Sequence, residues 1–328
     1  MRNYEHELPH SLSEEKRQEL QQRLAGLSID HERRCEVKLI EVDGRLVEAR
    51  RFGYAHQYPI FMLHGSPGHA NDPIPRNLIL HLLGVNIISY SRPGYGVSDR
   101  HEGRQVADEA TRIEAIADAY GIDQFSVIGR SGGGPSALAV AHLLPDRIRS
   151  VAVLAGPAPR ASEPVADWTT GMSDLNRQLH SHAITDRQQL AEAIYTLAEE
   201  TRANPRHLLD FLRPHFSDSD HTTTDNGLFV PYLLQSYRNA LSHGPYGWID
   251  DVLALHEDWG FTLQETTMPT LLWYAEKDPF TPPDHGTRLQ EAVPNAEFVI
   301  TPNKSHFESF ELIQNAIAWC RERASSLP

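Results

Sequence analysis

Several features that mark large classes of protein are scarce or missing in this sequence. Its 328 residues include only two cysteines, Cys35 and Cys320. Two cysteines in so long a chain are expected to be free thiols, with a disulfide between them as the alternative. No apolar run approaches the roughly 18 residues of a membrane span, and the first residues contain no apolar signal segment. These absences predict a soluble globular protein located in the cytoplasm.

Motifs for metal ions, nucleotides and nucleic acids are also missing. The chain has no His-Glu-x-x-His sequence, no paired Cys-x-x-Cys and no glycine-rich dinucleotide fingerprint after a strand. Its net charge of −14 opposes binding to phosphate backbones and anionic membranes. We therefore expect no metal, no cofactor, no nucleic-acid partner and no membrane partner. The oligomeric state is left open.

What the sequence does contain is an ordered alternation of apolar runs and helical segments. Two alternating runs within Cys35–Phe52 flank Asp43-Gly44 and predict a β-hairpin. Apolar runs that then alternate with helical spacing indicate an α/β fold, with a mostly parallel sheet covered by helices on both faces. The predicted strands are Pro59–His64, Val85–Ser91, Phe125–Gly129, Arg149–Gly156, Thr270–Ala275 and Glu297–Thr301, and the predicted helices are Val106–Tyr120, Pro135–Leu144 and Ser309–Ala324.

The alternation divides the chain into three regions. It stops near Pro157 and resumes at Thr270, and the intervening residues have helical and loop character. Residues 159–266 are therefore predicted to form a helical cap inserted into an α/β core made of residues 35–158 and 267–328. Residues 1–34 are polar and contain a helix start at a capping box. They are predicted to form an N-terminal arm on the core, with a dimer contact as the alternative.

A nucleophile is indicated by the sequence Gly129-Arg130-Ser131-Gly132-Gly133. This G-x-S-x-G pattern directly follows a predicted strand and precedes a predicted helix, which is the placement that a nucleophile elbow requires. A phosphate-binding glycine turn is the alternative, but the lysine of a P-loop is absent. The pattern therefore predicts that Ser131 is a catalytic nucleophile.

A serine nucleophile needs a base, and the base needs a carboxylate that orients it. Asp278 and His306 each follow the end of a predicted parallel strand, in the order Ser, Asp, His. Both should therefore lie at the same sheet edge as Ser131, where ligands of open α/β sheets bind. We predict a Ser131, Asp278 and His306 triad, with Glu276 as the competing carboxylate.

Oxyanion and substrate contacts can be assigned as well. His64-Gly65-Ser66-Pro67-Gly68 follows the first parallel strand, and backbone N–H groups in such a loop can bind a developing oxyanion. We assign the N–H groups of Ser66 and Gly132 to this hole, and expect His64 to brace the loop. The loop Ser91–Asp99 should support the site without chemistry of its own. Aromatic residues of the cap that could bind substrate are Trp168, Tyr232, Tyr237 and Trp248.

With these motifs in view, the chain resembles the α/β-hydrolase fold superfamily along nearly its whole length, and more closely the actinobacterial-type members with a helical cap. The resemblance implies the fold, the triad and hydrolase chemistry. It does not imply a substrate. The stretches that carry the closer resemblance are Arg92–Asp99, Gly129–Leu138, Gly247–Asp251, Trp259–Phe261 and Leu271–Asp278.

Departures from known branches narrow the expected activity. Haloalkane dehalogenases and epoxide hydrolases have aspartate at the elbow, where this chain has Ser131. Proline iminopeptidases are similar at His64–Gly68, but their elbow usually reads Gly-Gly-Ser-Trp-Gly. We expect a serine hydrolase that cleaves a carboxylic ester, thioester or lactone of a small molecule through an acyl-enzyme. Acyl transfer, cyclisation or amide cleavage by the same triad, and ligand binding without catalysis, are the alternatives.

Overall fold

A computed structural model describes residues 35–72, 74–160 and 163–326, together with Gln18 alone. The predicted N-terminal arm lies outside the described residues. Among the described residues, no helix combines the length and apolarity needed to cross a membrane.

The described chain is organised around one twisted sheet of eight strands, in the order β1-β2-β4-β3-β5-β6-β7-β8. The hairpin β1–β2 is antiparallel, and β2 pairs antiparallel with β4. The six strands β3 to β8 are all parallel to one another. The carboxyl ends of the parallel strands therefore meet at one edge. The strands are β1 Cys35–Val42, β2 Arg45–Phe52, β3 Tyr58–Leu63, β4 Val85–Tyr90, β5 Phe125–Arg130, β6 Ile148–Leu154, β7 Thr270–Ala275 and β8 Ala296–Thr301.

Helices cover both faces of this sheet, and two clusters of buried apolar residues fill the space between the layers. The central strands β4 and β5 are buried along their whole length, as expected for parallel strands covered on both faces. The described α-helices are α1 Asn77–Leu83, α2 Glu109–Ala119, α3 Gly134–Leu143, α4 Val165–Trp168, α5 Asp174–Thr185, α6 Arg187–Ala203, α7 Arg206–Leu212, α8 Asp218–Asn226, α9 Val230–Ala240, α10 Tyr246–Ala254, α11 Pro283–Ala292 and α12 Ile313–Ser326.

The predicted fold class is confirmed, and the predicted elements differ from the observed ones mainly at their ends. The hairpin turns at Asp43 and Gly44, which have φ angles of 50° and 71°, the left-handed conformation favoured by this dipeptide. The predicted helix Val106–Tyr120 begins with one turn of 3-10 helix before α2. The short helix α1 was not predicted. Its leucines Leu78 and Leu82 are exposed, so its apolar residues do not follow the one-sided spacing of a helix packed on the core.

Helices α4 to α10 form a continuous helical insertion between β6 and β7. The longest, α6, buries Leu190, Ile194 and Ala198, a spacing of four that places them on one face of the helix. This face packs on neighbouring helices of the insertion, including α5, α7 and α10. The apolar packing between the helices of the insertion is thus continuous with one of the two buried clusters of the core. The insertion leaves and rejoins the core at the carboxyl edge of the sheet.

Candidate active site

Ser131 lies at the turn between β5 and α3, with a φ angle of 51°. This left-handed conformation is uncommon for a residue with a side chain and is typical of strained functional turns. Two glycines make the turn possible. A Cβ added to Gly129 would lie 2.3 Å from the carbonyl oxygen of Gly133, and one added to Gly133 would lie 2.5 Å from that of Leu63. The elbow therefore needs glycine on both sides of the serine.

Asp278 and His306 follow β7 and β8 and contact each other directly. The Nδ1 atom of His306 lies 2.7 Å from Oδ2 of Asp278. The other carboxylate oxygen accepts the backbone N–H groups of Phe280 and Thr281, each at 2.8 Å. Because the carboxylate can only accept, the proton of His306 lies on Nδ1 and Nε2 is available as a base. Glu276, the competing carboxylate, is instead exposed and accepts the N–H of Asn303.

The nucleophile and the base border one cavity of about 130 Å³ between the sheet edge and the helical insertion. The core contributes Ser131, His306 and the loop at Ser66. The insertion contributes a mostly apolar wall. Its aliphatic members are Met172, Leu175, Leu179, Leu208, Leu212, Val252 and Leu255. A small apolar cavity with a few polar groups is the usual form of a binding site for a small molecule.

The predicted oxyanion residues, Ser66 and Gly132, lie side by side. A Cβ added to Gly132 would lie 2.3 Å from the hydroxyl oxygen of Ser66 and 3.4 Å from its backbone nitrogen, so the two residues are in close contact beside Ser131. His64 holds the loop that carries Ser66. Its Nδ1 atom lies 2.7 Å from the carbonyl oxygen of Gly65, and its Nε2 atom accepts the N–H of Arg92 at 3.1 Å. The imidazole thus links the two loops that follow β3 and β4.

A carboxylate of the insertion, Asp251 of α10, reaches the same loop. It accepts hydrogen bonds from the hydroxyl of Ser66, from the hydroxyl of Tyr95 at 2.8 Å, and from the guanidinium groups of Arg92 and Arg104. Burial opposes ionisation of Asp251, but Arg92 and Arg104 outweigh it and hold the pKa of this carboxyl below its ordinary value. The insertion and the oxyanion loop are therefore joined by a buried ionic network.

A second carboxylate of the insertion holds the loop that carries His306. Asp220 of α8 is fully buried. One of its oxygens accepts the backbone N–H of Phe307 at 3.0 Å, and the other accepts the hydroxyl of Ser305. The residues on both sides of His306 are thus fixed by one side chain from the insertion.

The four aromatic residues predicted to bind substrate divide into two pairs. Tyr237 and Trp248 border the cavity. Trp168 and Tyr232 are not among the described residues that line it. The indole of Trp168 is buried behind the wall and donates its N–H to the carbonyl oxygen of Ala158. Trp168 is therefore placed in the packing of the insertion.

The polar side chains of the cavity that were not recognised from the sequence include Arg130, His180 and Asp251. Arg130 borders the cavity, contacts Asp72 at 3.3 Å and stacks on the ring of Phe310. His180 and Asp251 come from the insertion. Arg130 sits inside the elbow motif, so its position was a usable signal. The other two lie on helices whose orientation toward the core depends on tertiary packing.

Within the described ranges, no group of three or more histidine, cysteine, aspartate or glutamate side chains is placed to hold a metal ion.

The fold and the site together define a hydrolase of the α/β type. A family model for the alpha/beta hydrolase fold matches residues 58–311. The chain therefore belongs to the α/β-hydrolase fold family.

Similar proteins extend over most of the chain. A 2-hydroxy-6-oxononadienedioate/2-hydroxy-6-oxononatrienedioate hydrolase of Pseudomonas putida is 26% identical over 77% of this chain and 82% of its own length. A hydrolase of the same name from Dechloromonas aromatica is 27% identical over 77% of this chain and 81% of its own length. Among solved structures, an alpha/beta hydrolase fold protein from Chitinophaga pinensis matches with a TM-score of 0.64 at 18% identity, covering 91% of this chain and all of that one.

Proposed function

We propose that this protein hydrolyses a carboxylic ester, thioester or lactone of a small molecule through a covalent acyl-enzyme on Ser131. One observation carries the proposal. Ser131, in a strained strand-to-helix turn, borders a small cavity together with His306, and Nδ1 of His306 is hydrogen-bonded to the buried carboxylate of Asp278. This combination activates a serine toward acyl carbon atoms.

The chemistry follows from the positions of these groups. The hydroxyl oxygen of Ser131 attacks the substrate carbonyl carbon while Nε2 of His306 takes the hydroxyl proton. The negative charge on the carbonyl oxygen is stabilised by the N–H groups of Ser66 and Gly132. The tetrahedral intermediate collapses, and His306 returns the proton to the leaving group. Water then attacks the acyl-enzyme by the same sequence, and the acid is released.

The cavity limits the size of the substrate. Its volume of about 130 Å³ is below the range of roughly 300–1,000 Å³ that is usual for drug-sized ligands. The part of its wall that the insertion contributes is mostly apolar. The proposal therefore specifies a short, largely apolar acyl group, with the insertion acting as a cap that selects it.

A labelling experiment tests the nucleophile. A fluorophosphonate probe should modify Ser131 alone, as located by peptide mass spectrometry, and Ser131→Ala should abolish labelling. Esters, thioesters, lactones and aminoacyl amides of matched acyl length are then compared. Ester turnover that requires Ser131 supports the proposal. Labelling of another residue of the folded protein, or turnover confined to amides, contradicts it.

Hydrolysis of a carbon–carbon bond is a second candidate, because two relatives aligned over about four fifths of their length are named for 2-hydroxy-6-oxononadienedioate. That compound carries two carboxylates, and the cationic side chain of Arg130 borders the cavity. Turnover of 2-hydroxy-6-oxononadienedioate, followed by its absorbance, tests this candidate directly. A kcat/KM for this compound at least tenfold above that for every ester of the panel would favour it over ester hydrolysis.

A further inference from the structure

Three side chains, Arg160, His256 and His180, form a hydrogen-bonded series that ends at the cavity. The Nε atom of Arg160 lies 3.1 Å from Nδ1 of His256. The Nε2 atom of His256 lies 3.0 Å from Nδ1 of His180. His180 itself borders the cavity that contains Ser131 and His306. The hydrogen-bonded series thus runs from Arg160 to the substrate site.

Arg160, the first residue of the series, fixes the direction of both hydrogen bonds. A guanidinium group can only donate, so Nδ1 of His256 must accept. In the neutral imidazole of His256 the proton then lies on Nε2 and is donated to Nδ1 of His180. The proton of His180 must in turn lie on its own Nε2 atom. This nitrogen has no hydrogen-bond partner among the described residues, so its N–H is free to meet a ligand.

The surroundings keep both imidazoles neutral and in place. Burial, reinforced by the positive charge of Arg160, lowers the pKa of His256 to about 4. Burial also holds the pKa of His180 well below its ordinary value. The indole of Trp168 packs edge-on against both rings, with centroids 4.8 Å and 5.1 Å away. His180, held by His256 and Trp168, therefore acts as a rigid, uncharged hydrogen-bond donor at neutral pH.

We propose that His180 is a specificity-determining residue that donates a hydrogen bond from Nε2 to a substrate oxygen remote from the scissile carbonyl. Arg160 and His256 are positioning residues that fix the tautomer of His180. The substrate class is thereby narrowed to acyl compounds that carry a second oxygen, such as a keto group, on an otherwise apolar chain. This inference rests on the proposed acyl-enzyme reaction and adds the polar feature that the substrate must have.

Matched substrates test the donor. The p-nitrophenyl esters of pentanoic and 4-oxopentanoic acid, and of hexanoic and 5-oxohexanoic acid, differ by one keto oxygen. The wild type should prefer at least one oxo ester over its parent by about tenfold in kcat/KM, the effect of one neutral hydrogen bond. In His180→Leu the ratio of kcat/KM for the oxo ester to that for its parent should fall to about one, whatever the absolute turnover of the parent ester. His180→Gln, which keeps an N–H donor, should restore part of the preference.

A matched control lies two residues away on the same helix. His182 does not belong to the described cavity lining, so His182→Leu should leave the preference unchanged. A preference that persists in His180→Leu, or that is absent for both oxo esters in the wild type, overturns the proposal.

The role of Arg160 is tested by histidine ¹⁵N resonances, which distinguish a protonated ring nitrogen from an unprotonated one. In the wild type, Nε2 of His180 should carry the proton. Arg160→Met should allow the opposite tautomer and reduce the ratio of kcat/KM for the oxo ester to that for its parent at least threefold. A proton on Nδ1 of His180 in the wild type contradicts the assignment.

The NMR measurement also separates this inference from the proposed function. If Ser131 is not labelled and no ester is turned over, the acyl-enzyme reaction is wrong. The donor is then judged by adding 4-oxopentanoate or pentanoate to labelled protein. A shift of the His180 Nε2 resonance with the oxo acid only supports it, and equal or absent shifts refute it.

Discussion

The carboxylate of Asp278 accepts three hydrogen bonds, and together they restrict how His306 can turn. Two come from backbone N–H groups of Phe280 and Thr281, and one comes from the imidazole. Charged acceptors with several donors hold their position strongly. At the scale of single residues, the base of this site is therefore oriented before any substrate arrives.

Removing either member of this pair should reduce turnover without unfolding the protein. His306→Ala should lower kcat by at least about 10⁴-fold, because nucleophile and base act as a unit. Asp278→Asn should also be severe, since the imidazole loses its orienting charge. Glu276→Gln is the control and should stay within about twofold. If the Glu276 variant were the damaged one and Asp278→Asn were mild, the assigned carboxylate would be wrong.

The two aromatic residues of the insertion that border the cavity should set the preferred acyl length. Tyr237→Leu or Trp248→Phe should enlarge the cavity and raise kcat/KM for longer acyl chains relative to shorter ones, by several-fold. Labelling of Ser131 should persist in both variants. Tyr232→Leu, on the same helix as Tyr237, is the control. Equal scaling of all substrates in the two variants would place specificity in the core loops instead.

At the scale of elements, the insertion does more than cover the site, because α8 positions the loop that carries the base. Asp220 accepts hydrogen bonds on both sides of His306. It also accepts the N–H of Ser217 in the capping box of its own helix. The start of α8 and the catalytic loop are therefore fixed by the same carboxylate.

Asp220→Asn should lower kcat about tenfold with little change in KM, because an amide nitrogen cannot accept the hydrogen bond of Ser305 and the His306 loop loosens. Asp218→Asn, at an exposed position of the same helix, is the matched control and should be neutral. Kinetics and circular dichroism of the purified variants check this. A change in KM alone would show that α8 shapes the cavity and does not position the base.

Most elements of the core could be predicted from the sequence, whereas the helices α1 and α11 and the contacts between core and insertion could not. Strands such as β5 and β7 are short apolar runs bounded by turn residues, and the elbow has its own local motif. Asp220, Asp251 and His180 carry no such local signal. They lie on helices whose polar residues resemble a solvated face until packing turns them inward. Order along the chain also indicated Asp278 and His306, because parallel strands bring their ends together.

At the scale of the whole molecule, buried histidines link stability to pH. Burial lowers the pKa of His256 and of His285 to about 4, compared with 6.5 in an unfolded chain. Between these values the unfolded state binds more protons than the folded state. Stability is therefore fully present above about pH 6.5 and is lost as the pH falls toward 4.

One substitution isolates this effect. His285 accepts the N–H of Ala158 through Nδ1, and the oxygen of asparagine in His285→Asn can accept the same bond without titrating. The free energy of unfolding should fall between pH 7.5 and pH 5 by about 2 kcal/mol less in this variant than in the wild type. Glu109, whose pKa burial raises to about 7, has the opposite pH dependence, but it is common to both proteins. Denaturant unfolding at the two pH values measures the difference, and identical pH dependence would contradict the prediction.

The network at α10 also has a consequence for engineering. Asp250 pairs with Arg100, and Asp251 pairs with Arg92 and Arg104. A chimera whose helical insertion lacks carboxylates at these two positions would keep the arginines in the recipient core without the groups that neutralise them. Arg92 and Arg104 are buried, and buried charges without partners are strongly destabilising. The transferable module is therefore the insertion together with residues 91–105, and recombination sites for exchanging specificity belong outside both segments.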